Sequence, residues 1–530
     1  MATFTVTNLF DSGTGSFRQA IFDANTTSGA DDILFNPGLS GGTINLTSGE
    51  LLISDDLTIN GLGADLLAVD AGGLSRVFKI DDQVIENFIN VSIDGLTITG
   101  GIAPVINSPA YGNSSGFQDS GAGIFSRENL LLTNSVISNN IGDGITVTTL
   151  FPEVAGVANG KISNTTISGN SGNGIVIHGI DLEVTQSLIY GNSSSGIINE
   201  FQSHDVSLFG NTILTDSDVS DNQGSGIVNK GNMEVINSTI SGNSSSGIYN
   251  ESVGFTRAGL RFGDLEVQNS IITGNKTDGN GGGIFTGYGK VEVTNSTIAQ
   301  NEAVGNGGGI YITPRFLYSQ VDITNSTISN NVALGQGGGI YMGYRSDLTE
   351  VINSTISGNV ALESGGGIVQ IPYSNFSLPS IKNTIIAGNN GTNPNIEGDF
   401  QSNGFNLIGN LTGGTGFEND LIEPDITKIL DTTLADNGGS ILTHALILGS
   451  PAIDAGNNND VLVGITTDQR GMGFNRIVDG NNDTIAIVDI GAFEVQPSTS
   501  VPEPSSMLGL MGLVIIGTGS LLRRKLQNKS

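Results

Sequence analysis

The segment Asn237-Ser238-Thr239-Ile240-Ser241-Gly242-Asn243 recurs along this chain and decides its fold. The starts of successive copies lie 21 to 32 residues apart. The fourth residue is Ile in every copy but one, where it is Val219, and the seventh is always Asn. The ten seventh-position residues are Asn140, Asn170, Asn192, Asn222, Asn243, Asn275, Asn301, Asn331, Asn359 and Asn389. We predict that they stack as a structural ladder at a bend, where left-handed backbone geometry suits Asn.

Apolar and polar residues alternate just before several copies, which is the period of a strand with one buried face. A glycine-rich turn and another short apolar segment follow the motif. Each unit therefore contains about three short strands and has no room for a helix. The alternating segments include Leu182-Glu183-Val184, Leu265-Glu266-Val267, Val291-Glu292-Val293 and Val321-Asp322-Ile323, and one glycine-rich turn is Gly281-Gly282-Gly283-Ile284-Phe285.

Short strands at a small and nearly constant period predict a solenoid in which equivalent strands pair in parallel. The alternative, a β-propeller, needs blades of about 40–45 residues, which exceeds the observed steps. The pattern resembles the right-handed parallel β-helix family, typified by pectate-lyase-like folds. The predicted fold class is therefore all-β, with about ten coils forming a rod of roughly 50 Å at about 4.8 Å per coil.

Composition excludes several classes of protein. The 530 residues include 78 Gly and no Cys, and only 13% are charged, so an all-α fold and thiolate or disulfide chemistry are excluded. The formal net charge of −31 argues against nucleic-acid binding and disfavours acidic polysaccharides unless a cation intervenes.

The solenoid is expected to be capped, because an open coil exposes core and unpaired strand edges. We assign residues 1–93 to an N-terminal cap and first coils, and residues 94–395 to the β-helix repeats. The cap includes a short amphipathic helix over 16–25, whose apolar side is expected to be Phe17, Ile21 and Phe22. Residues 396–495 contain Gly449-Ser450-Pro451-Ala452-Ile453-Asp454-Ala455-Gly456 and Val488-Asp489-Ile490-Gly491-Ala492-Phe493-Glu494. These motifs resemble the choice-of-anchor Q region of bacterial surface proteins.

Residues 496–530 differ in composition from the rest of the chain. Residues 496–505 form a linker with Pro502-Glu503-Pro504, residues 506–522 are uncharged, and residues 523–530 are a basic tail that opens with Arg523, Arg524 and Lys525. The uncharged stretch predicts one transmembrane helix with a cytoplasmic C-terminus. The whole terminus resembles the PEP-CTERM sorting signal. The resemblance implies processing by an exosortase-like membrane protease, with the precursor held in the inner membrane and the product at the cell surface or in the extracellular matrix.

The opening Met1-Ala2-Thr3-Phe4-Thr5-Val6 shows no signal peptide, and we therefore expect a misassigned start codon. No residue is assigned a catalytic role. Asp479, Asn481 and Asp483 alternate oxygen ligands in a possible calcium loop, to which Asp454 and Asp460 would add ligands. We predict an adhesive or structural surface protein that contacts extracellular polysaccharide or surface proteins.

The alternatives are a polysaccharide lyase or glycoside hydrolase and a non-catalytic glycan-binding module. Carboxylates on adjacent coils together with one Lys or Arg would favour the enzyme. Stacked aromatics in a groove would favour glycan binding, and the candidates are Phe285, Tyr311 and Tyr341.

Overall fold

The solenoid consists of coils that each give one strand to three faces, here called face C, face A and face B in chain order. The computed structural model describes residues 1–84, 88–104, 120–149, 158–200, 210–251, 254–256, 259–261, 263–313, 319–343, 349–372, 377–402 and 404–497. Equivalent strands of successive coils pair in parallel and in register on all three faces, as Ile167 pairs with Ile137 on face B. The prediction of an all-β parallel β-helix is confirmed.

Face A and face C are joined by the strand Ile284–Thr294, which runs from one face to the other. Face A consists of Thr3–Val6, Asp31–Phe35, Leu57–Asn60, Asn90–Asp94, Asn129–Thr133, Asn159–Ser163, Asp181–Thr185, Asn211–Thr215, Asn232–Ile236, Leu265–Gln268, Ile284–Thr294, Ser319–Thr324, Glu350–Ile352, Ser380–Lys382 and Gln401–Ser402. Face C adds Leu51–Ile53, Phe78–Ile80, Gly121–Ser126, Asp143–Thr148, Ile175–His178, Ile197–Glu200, Ile227–Asn229, Ile248–Glu251, Ile310–Ile312, Ile340–Met342, Ile368–Gln370, Ile396–Asp399 and Gly414–Thr415.

Face B is a separate sheet of 15 strands. It consists of Gly42–Asn45, Leu67–Asp70, Thr97–Thr99, Val136–Ser138, Thr166–Ser168, Leu188–Tyr190, Asp218–Ser220, Thr239–Ser241, Ile271–Thr273, Thr297–Ala299, Thr327–Ser329, Thr355–Ser357, Ile385–Ala387, Leu407–Ile408 and Leu421–Ile422. A further short ladder lies at the turn after face B and contains Lys276–Thr277, Glu302–Ala303, Val332–Ala333 and Val360–Ala361. One antiparallel pair, Gly254–Thr256 with Gly259–Arg261, completes the strands. The solenoid thus has more coils than the ten motif copies predict, because coils at both ends lack the motif.

The interior is an apolar ladder. The fourth residue of each motif copy points inward from face B, and Ile137, Ile240 and Ile356 are among the fully buried ones. Val184, Val267 and Val293 fill the same role from face A. Because identical positions stack in register, one repeated pattern supplies a continuous core.

The two ends of the core are covered. The helix Phe17–Thr26 lies at the N-terminal end, where the Ser16 hydroxyl caps it by accepting the Gln19 N–H at 3.2 Å. Phe17 and Ile21 are buried as predicted, but Phe22 is 60% exposed, so that part of the prediction is wrong. Ala20 and Ala24 are buried instead, because they share the helical face of Phe17. At the other end Phe417 packs on Phe400, with 5.7 Å between ring centroids.

The C-terminal region, residues 423–497, packs against the outside of face B. It contains the 3-10 helices Ile426–Lys428 and Asn458–Asp460 and otherwise turns and isolated antiparallel bridges. Gln469 bridges two coils, since its side chain donates to the Ser296 carbonyl at 3.0 Å and accepts from the Thr327 hydroxyl at 2.5 Å. Farther along the same face, Ile429 and Ile490 pack with Ile385. The domain limits given above remain predictions.

The fold class needs one correction. The longest helix of the described residues is Phe17–Thr26, whose ten residues span about 15 Å, about half of a bilayer core. No helix in the described ranges is long and apolar enough to cross a membrane. The predicted span 506–522 and the basic residues 523–530 lie outside the described residues. The class is therefore an all-β solenoid, and the transmembrane helix is withdrawn from it.

Candidate functional site

The outer surface of face A carries a row of in-register side chains, one per coil. The row begins with Thr58, Ser92, Leu131, Lys161, Glu183 and Ile213. It continues with five consecutive acids, Glu234, Glu266, Glu292, Asp322 and Glu350, here called the acidic row. Paired strands lie about 4.8 Å apart, so these carboxylates face one another across single coil steps.

The acidic row is only partly neutralised. Lys290 lies 2.5 Å from Glu292 and 3.8 Å from Asp322, and Lys382 lies 3.1 Å from Glu350. Partial desolvation, followed by the charges of Glu234 and Glu292, raises the pKa of Glu266. Burial, with Glu350 and Glu292 nearby, likewise raises the pKa of Asp322. Glu266 and Asp322 therefore hold protons more tightly than isolated carboxylates would.

A cleft of about 250 Å³ opens at the start of the acidic row and is lined by Glu234, Asp264, Glu266, Lys290 and Glu292. The Lys290 ammonium donates to Glu292, and this hydrogen bond is the main reason that the pKa of Lys290 is raised. A carboxyl of raised pKa beside one paired with a cation is an arrangement used in general acid–base chemistry. The sequence already contained this signal, because the acid is the middle residue of the alternating segments quoted above.

A larger groove of about 600 Å³ lies on the same face, over the six strands from Leu57–Asn60 to Asn211–Thr215. We call it the amide groove, since Asn90, Asn129, Asn159 and Asn211 line one side. Its other lining residues include Leu131, Ile213 and the ion pair of Lys161 with Glu183 at 2.8 Å. Asn211 also lines the smaller cleft, so the two openings adjoin at this residue.

Face C holds a third group of polar side chains, His178, Glu200 and Lys230, on successive coils. The His178 Nδ1 atom lies 3.7 Å from Glu200, and Lys230 donates to the same carboxylate. Burial lowers the pKa of His178, although the charges of Glu200 and Asp143 oppose it. Its Nε2 atom is buried, and in the described ranges it has no hydrogen-bond partner. Sequence reasoning missed this group because the inserts differ in length between its members.

The predicted aromatic candidates do stack, but on one another. Ring centroids are 4.5 Å apart for Tyr249 and Phe285, 5.4 Å for Phe285 and Tyr311, and 5.1 Å for Tyr311 and Tyr341. The planes of each pair are within 23° of parallel, so the faces of Phe285 and Tyr311 are used in stacking. Tyr311 and Tyr341 are also buried. This strip therefore packs on the outside of the solenoid, and neither Phe285 nor Tyr311 has a free ring face for a sugar.

The seventh-position asparagines form a buried amide ladder. The Asn170 side chain accepts from the Asn140 amide at 2.9 Å and donates to Asn192 at 2.9 Å, and the pattern continues to Asn389. The expected left-handed backbone at these residues is wrong. Positive φ falls on the first residue of each copy, such as Asn237 at 49°, and on the sixth. The chain therefore bends at the first and sixth residues of each copy, and the seventh side chain is buried between these bends.

A second ladder, formed by Ser and Thr hydroxyl groups, was not predicted from the sequence. The second residue of each copy is Ser or Thr. From Ser187 to Thr384 its hydroxyl accepts the backbone N–H of the preceding copy's second residue, as Ser217 does from Ser187 at 3.1 Å. The signal was present in all ten copies, since this position always carries a hydroxyl: Ser135, Thr165, Ser187, Ser217, Ser238, Ser270, Ser296, Ser326, Ser354 and Thr384.

The calcium candidates close a turn. The Asp479 carboxylate accepts the Asp483 and Thr484 backbone N–H groups, and the Asn481 side chain accepts from Asp483 at 2.9 Å. Asp454 reaches the same loop and accepts the Asn481 N–H at 2.6 Å, whereas the Asp460 side chain bonds to Asn457. No cluster of three His, Cys, Asp or Glu suited to a metal occurs among the described residues. Calcium binding here remains a prediction.

The predicted processing residues Pro502, Glu503, Pro504, Arg523, Arg524 and Lys525 lie outside the described residues. A family model for the PEP-CTERM protein-sorting motif matches residues 500–525, which contain all six. The chain is thus a parallel β-helix solenoid that ends in a protein-sorting motif. Such a motif implies export, processing by an exosortase and sorting to the surface.

No curated protein matches the sequence. Among solved structures, the A-module of mannuronan C-5 epimerase AlgE6 from Azotobacter vinelandii is 15% identical at a TM-score of 0.39, over 78% of this chain and 93% of that one. The catalytic unit of a GH87 alpha-1,3-glucanase from Streptomyces thermodiastaticus is 15% identical at 0.42, over 78% and 68%. Pectate lyase Pel9A is 15% identical at 0.32, over 94% and 97%. At these values the similarities say nothing of activity.

Proposed function

We propose that this chain is an exported protein of the cell surface or extracellular matrix, where it acts as an adhesive or structural rod. The observation that carries the proposal is the sorting motif at 500–525, placed behind a continuous solenoid. Ladders along three faces give a body that can span a distance without disulfides. Residues 396–495, with their resemblance to the choice-of-anchor Q region, would connect this rod to its sorting motif.

The test is to locate the mature protein and find its C-terminus. In a bacterium that carries an exosortase, we expect the protein on the cell surface or in the matrix, without the peptides that follow the Pro-Glu-Pro motif. The triple variant P502A/E503A/P504A should keep the intact terminus and stay with the cells. The matched variant S498A/T499A, in the linker just before the motif, should behave as the wild type. Identical processing of both variants would contradict the proposal.

The adhesive role has a separate readout. Cells that express the wild-type chain should attach to one another or to a surface more than cells that express P502A/E503A/P504A at an equal level. Equal attachment, with the wild-type protein correctly displayed, would contradict adhesion and leave the location intact.

The acidic row favours a second candidate, cleavage of a polysaccharide. Glu266 and Glu292 lie on adjacent coils, beside Lys290, in one cleft. Backbones about 4.8 Å apart are compatible with the carboxyl separation of roughly 5 Å that retaining glycosidases use. If this activity exists, E266Q and E292Q should each abolish release of reducing ends, and E363Q, at an exposed turn, should not. Equal release by all three variants would contradict it.

A further inference from the structure

The amide groove has the length of a polymer site. It crosses six strands of face A, so its floor extends about 24 Å along the solenoid axis at about 4.8 Å per coil. A compact small molecule would leave most of a groove of this shape empty. A ligand that follows the axis must repeat at, or close to, the coil spacing to meet the same side chain on each coil.

The groove has unused hydrogen-bonding groups. The Asn159 side chain makes no hydrogen bond within the described part of the chain, and the Asn211 amide nitrogen donates none there, although the Asn211 oxygen accepts from Asn232 at 3.1 Å. Both residues are exposed. Leu131, which is 40% exposed, and Ile213 supply apolar surface beside them. Amides next to apolar side chains suit the hydroxyl edges and C–H faces of sugar rings.

The spacing between coils distinguishes an extended peptide from an extended glycan as the ligand. An extended peptide presents side chains to one side every two residues, about 6.6 Å, which does not match about 4.8 Å. One ring of an extended glycan has a length comparable to one coil step. The period therefore favours a polysaccharide over a peptide.

Charge narrows the class of polysaccharide. Within the amide groove Lys161 is paired with Glu183, and the Asp181 carboxylate accepts the Asn211 N–H at 2.7 Å. An acidic polymer would meet the acidic row at the open end and the net charge of −31. Among the described residues Asp181 is the only charged side chain of the groove without an ion-pair partner. One carboxylate over six coils does not match a polycation that carries a charge on every ring, so an uncharged polymer fits best.

We propose that the amide groove binds an uncharged polysaccharide that lies along the solenoid axis, with about one sugar ring per coil. Asn159 and Asn211 donate to its hydroxyl groups, and Leu131 and Ile213 contact its ring faces. The inference rests on the proposed surface location, because only outside the cell would the rod meet such polymers. It identifies the partner of the adhesive function.

The test is affinity electrophoresis of the full-length protein in native gels that contain hydroxyethyl cellulose, laminarin or dextran as uncharged probes. Deacetylated chitin and polygalacturonate serve as cationic and acidic probes. We expect retardation by at least one uncharged probe, weakened about tenfold in N159A/N211A, since each lost hydrogen bond contributes modestly. The matched variant S220A/S241A, on face B, should bind as the wild type, and melting curves should show all three proteins folded.

Three results would overturn the inference. They are no retardation by any of the three uncharged probes, equal retardation of N159A/N211A and wild type, and retardation by a charged probe only. Because this measurement uses purified protein, its failure is distinct from a failure of surface location. Failure of location with retained binding would overturn the proposed function and leave the groove assigned.

Discussion

Asn222 shows how one residue type joins neighbouring coils. Its side chain donates to the Ile189 carbonyl at 3.2 Å and to Asn243 at 3.0 Å, and it accepts the Asn192 amide at 2.9 Å. It is fully buried, so removing the side chain takes one hydrogen bond from each of these partners at a place that water does not reach. Position seven was predictable from its invariance, but its backbone geometry was not, because a ladder and a left-handed bend both favour Asn.

We expect Asn222→Ala to destabilise the solenoid by about 3 kcal/mol, since it removes several buried hydrogen bonds. The melting temperature in thermal denaturation measures this. Asn159→Ala removes the same atoms from an exposed side chain that makes no hydrogen bond to the described residues, and it should change the melting temperature little. Equal shifts for the two variants would show that the ladder adds nothing to stability.

The C-terminal region buries five charged side chains together: Asp468, Arg470, Arg476, Asp489 and Glu494. Two guanidiniums balance only two carboxylates, so the third carboxyl is best left protonated. Burial, with the charges of Asp489 and Asp468, raises the pKa of Glu494 to about 9, even though Arg476 lies 3.5 Å away. Burial also raises the pKa of Asp489 to about 6.

A raised pKa in the folded state makes folding favourable where the proton is bound. The stabilisation from Glu494 is therefore complete below its ordinary value of 4.5 and is lost as pH rises towards about 9. We expect the melting temperature of the wild type to fall between pH 5 and pH 9 and that of Glu494→Gln to fall less. Glu363→Gln, at an exposed position, should follow the wild type. Parallel curves for all three would contradict a proton held at Glu494.

At the scale of elements, the turns before face C require glycine because the next coil lies too close for a side chain. A Cβ atom on Gly309 would lie 2.5 Å from the Gly339 carbonyl oxygen and 3.0 Å from the Asn331 amide nitrogen. Coils approach too closely there for any side chain. The sequence showed these glycines as turns, but the close approach to the next coil follows only from the stacking.

Gly309→Ala should destabilise the protein by about 1–3 kcal/mol, because the neighbouring backbone must move. Gly279→Ala lies one coil earlier, and its nearest atom would be the Thr277 hydroxyl oxygen at 3.6 Å, so it should be tolerated. Denaturant titration of both variants, compared with the wild type, checks this. If Gly309→Ala were tolerated, the neighbouring coil would have to be able to move away at this turn at little energetic cost.

The parts of the candidate site that lie on repeated strands could be predicted from the sequence, and the group that occurs once could not. The strands of face A were recognisable from Leu265-Glu266-Val267 and its equivalents, and the acidic row was implicit in them. His178, Glu200 and Lys230 could not be aligned, since the segments between them and the next strand of face A differ in length and the three residues are of different types. A repeated position can be predicted from one chain, whereas a site built once from unlike residues requires the register.

At the scale of the whole molecule, the C-terminal region contacts four successive coils of face B. Its contacts include the Thr297 hydroxyl with the Leu442 carbonyl at 2.8 Å, Ser329 with His444 at 2.7 Å and Thr355 with Ala492 at 3.0 Å. The His444 Nδ1 atom donates to the Asp431 carbonyl, so its Nε2 atom accepts from Ser329. Sequence motifs indicated this region but not its docking surface, because these three contacts join residues more than 100 positions apart.

Gln469 holds this docking together across two coils. We expect Gln469→Ala to release residues 423–497 locally, because it removes hydrogen bonds to Ser296, Thr297 and Thr327. Hydrogen exchange should then increase in that region and remain unchanged around Asn222. Gln401→Ala serves as the control, because Gln401 is exposed and lies at the end of the strand Gln401–Ser402 of face A. Unchanged exchange in Gln469→Ala would show that the remaining hydrogen bonds and the apolar packing hold the region without Gln469.

This lateral docking has a mechanical consequence. Hydrogen bonds between coils run along the solenoid axis, so tension applied to the final turn would peel coils away one at a time. A pull on the chain after residue 497 instead enters through residues bound side-on to four coils. The force is shared among those coils and acts partly in shear, which requires several bonds to break together. A protein tethered by this end would therefore unravel only at a force higher than the force that detaches a single coil.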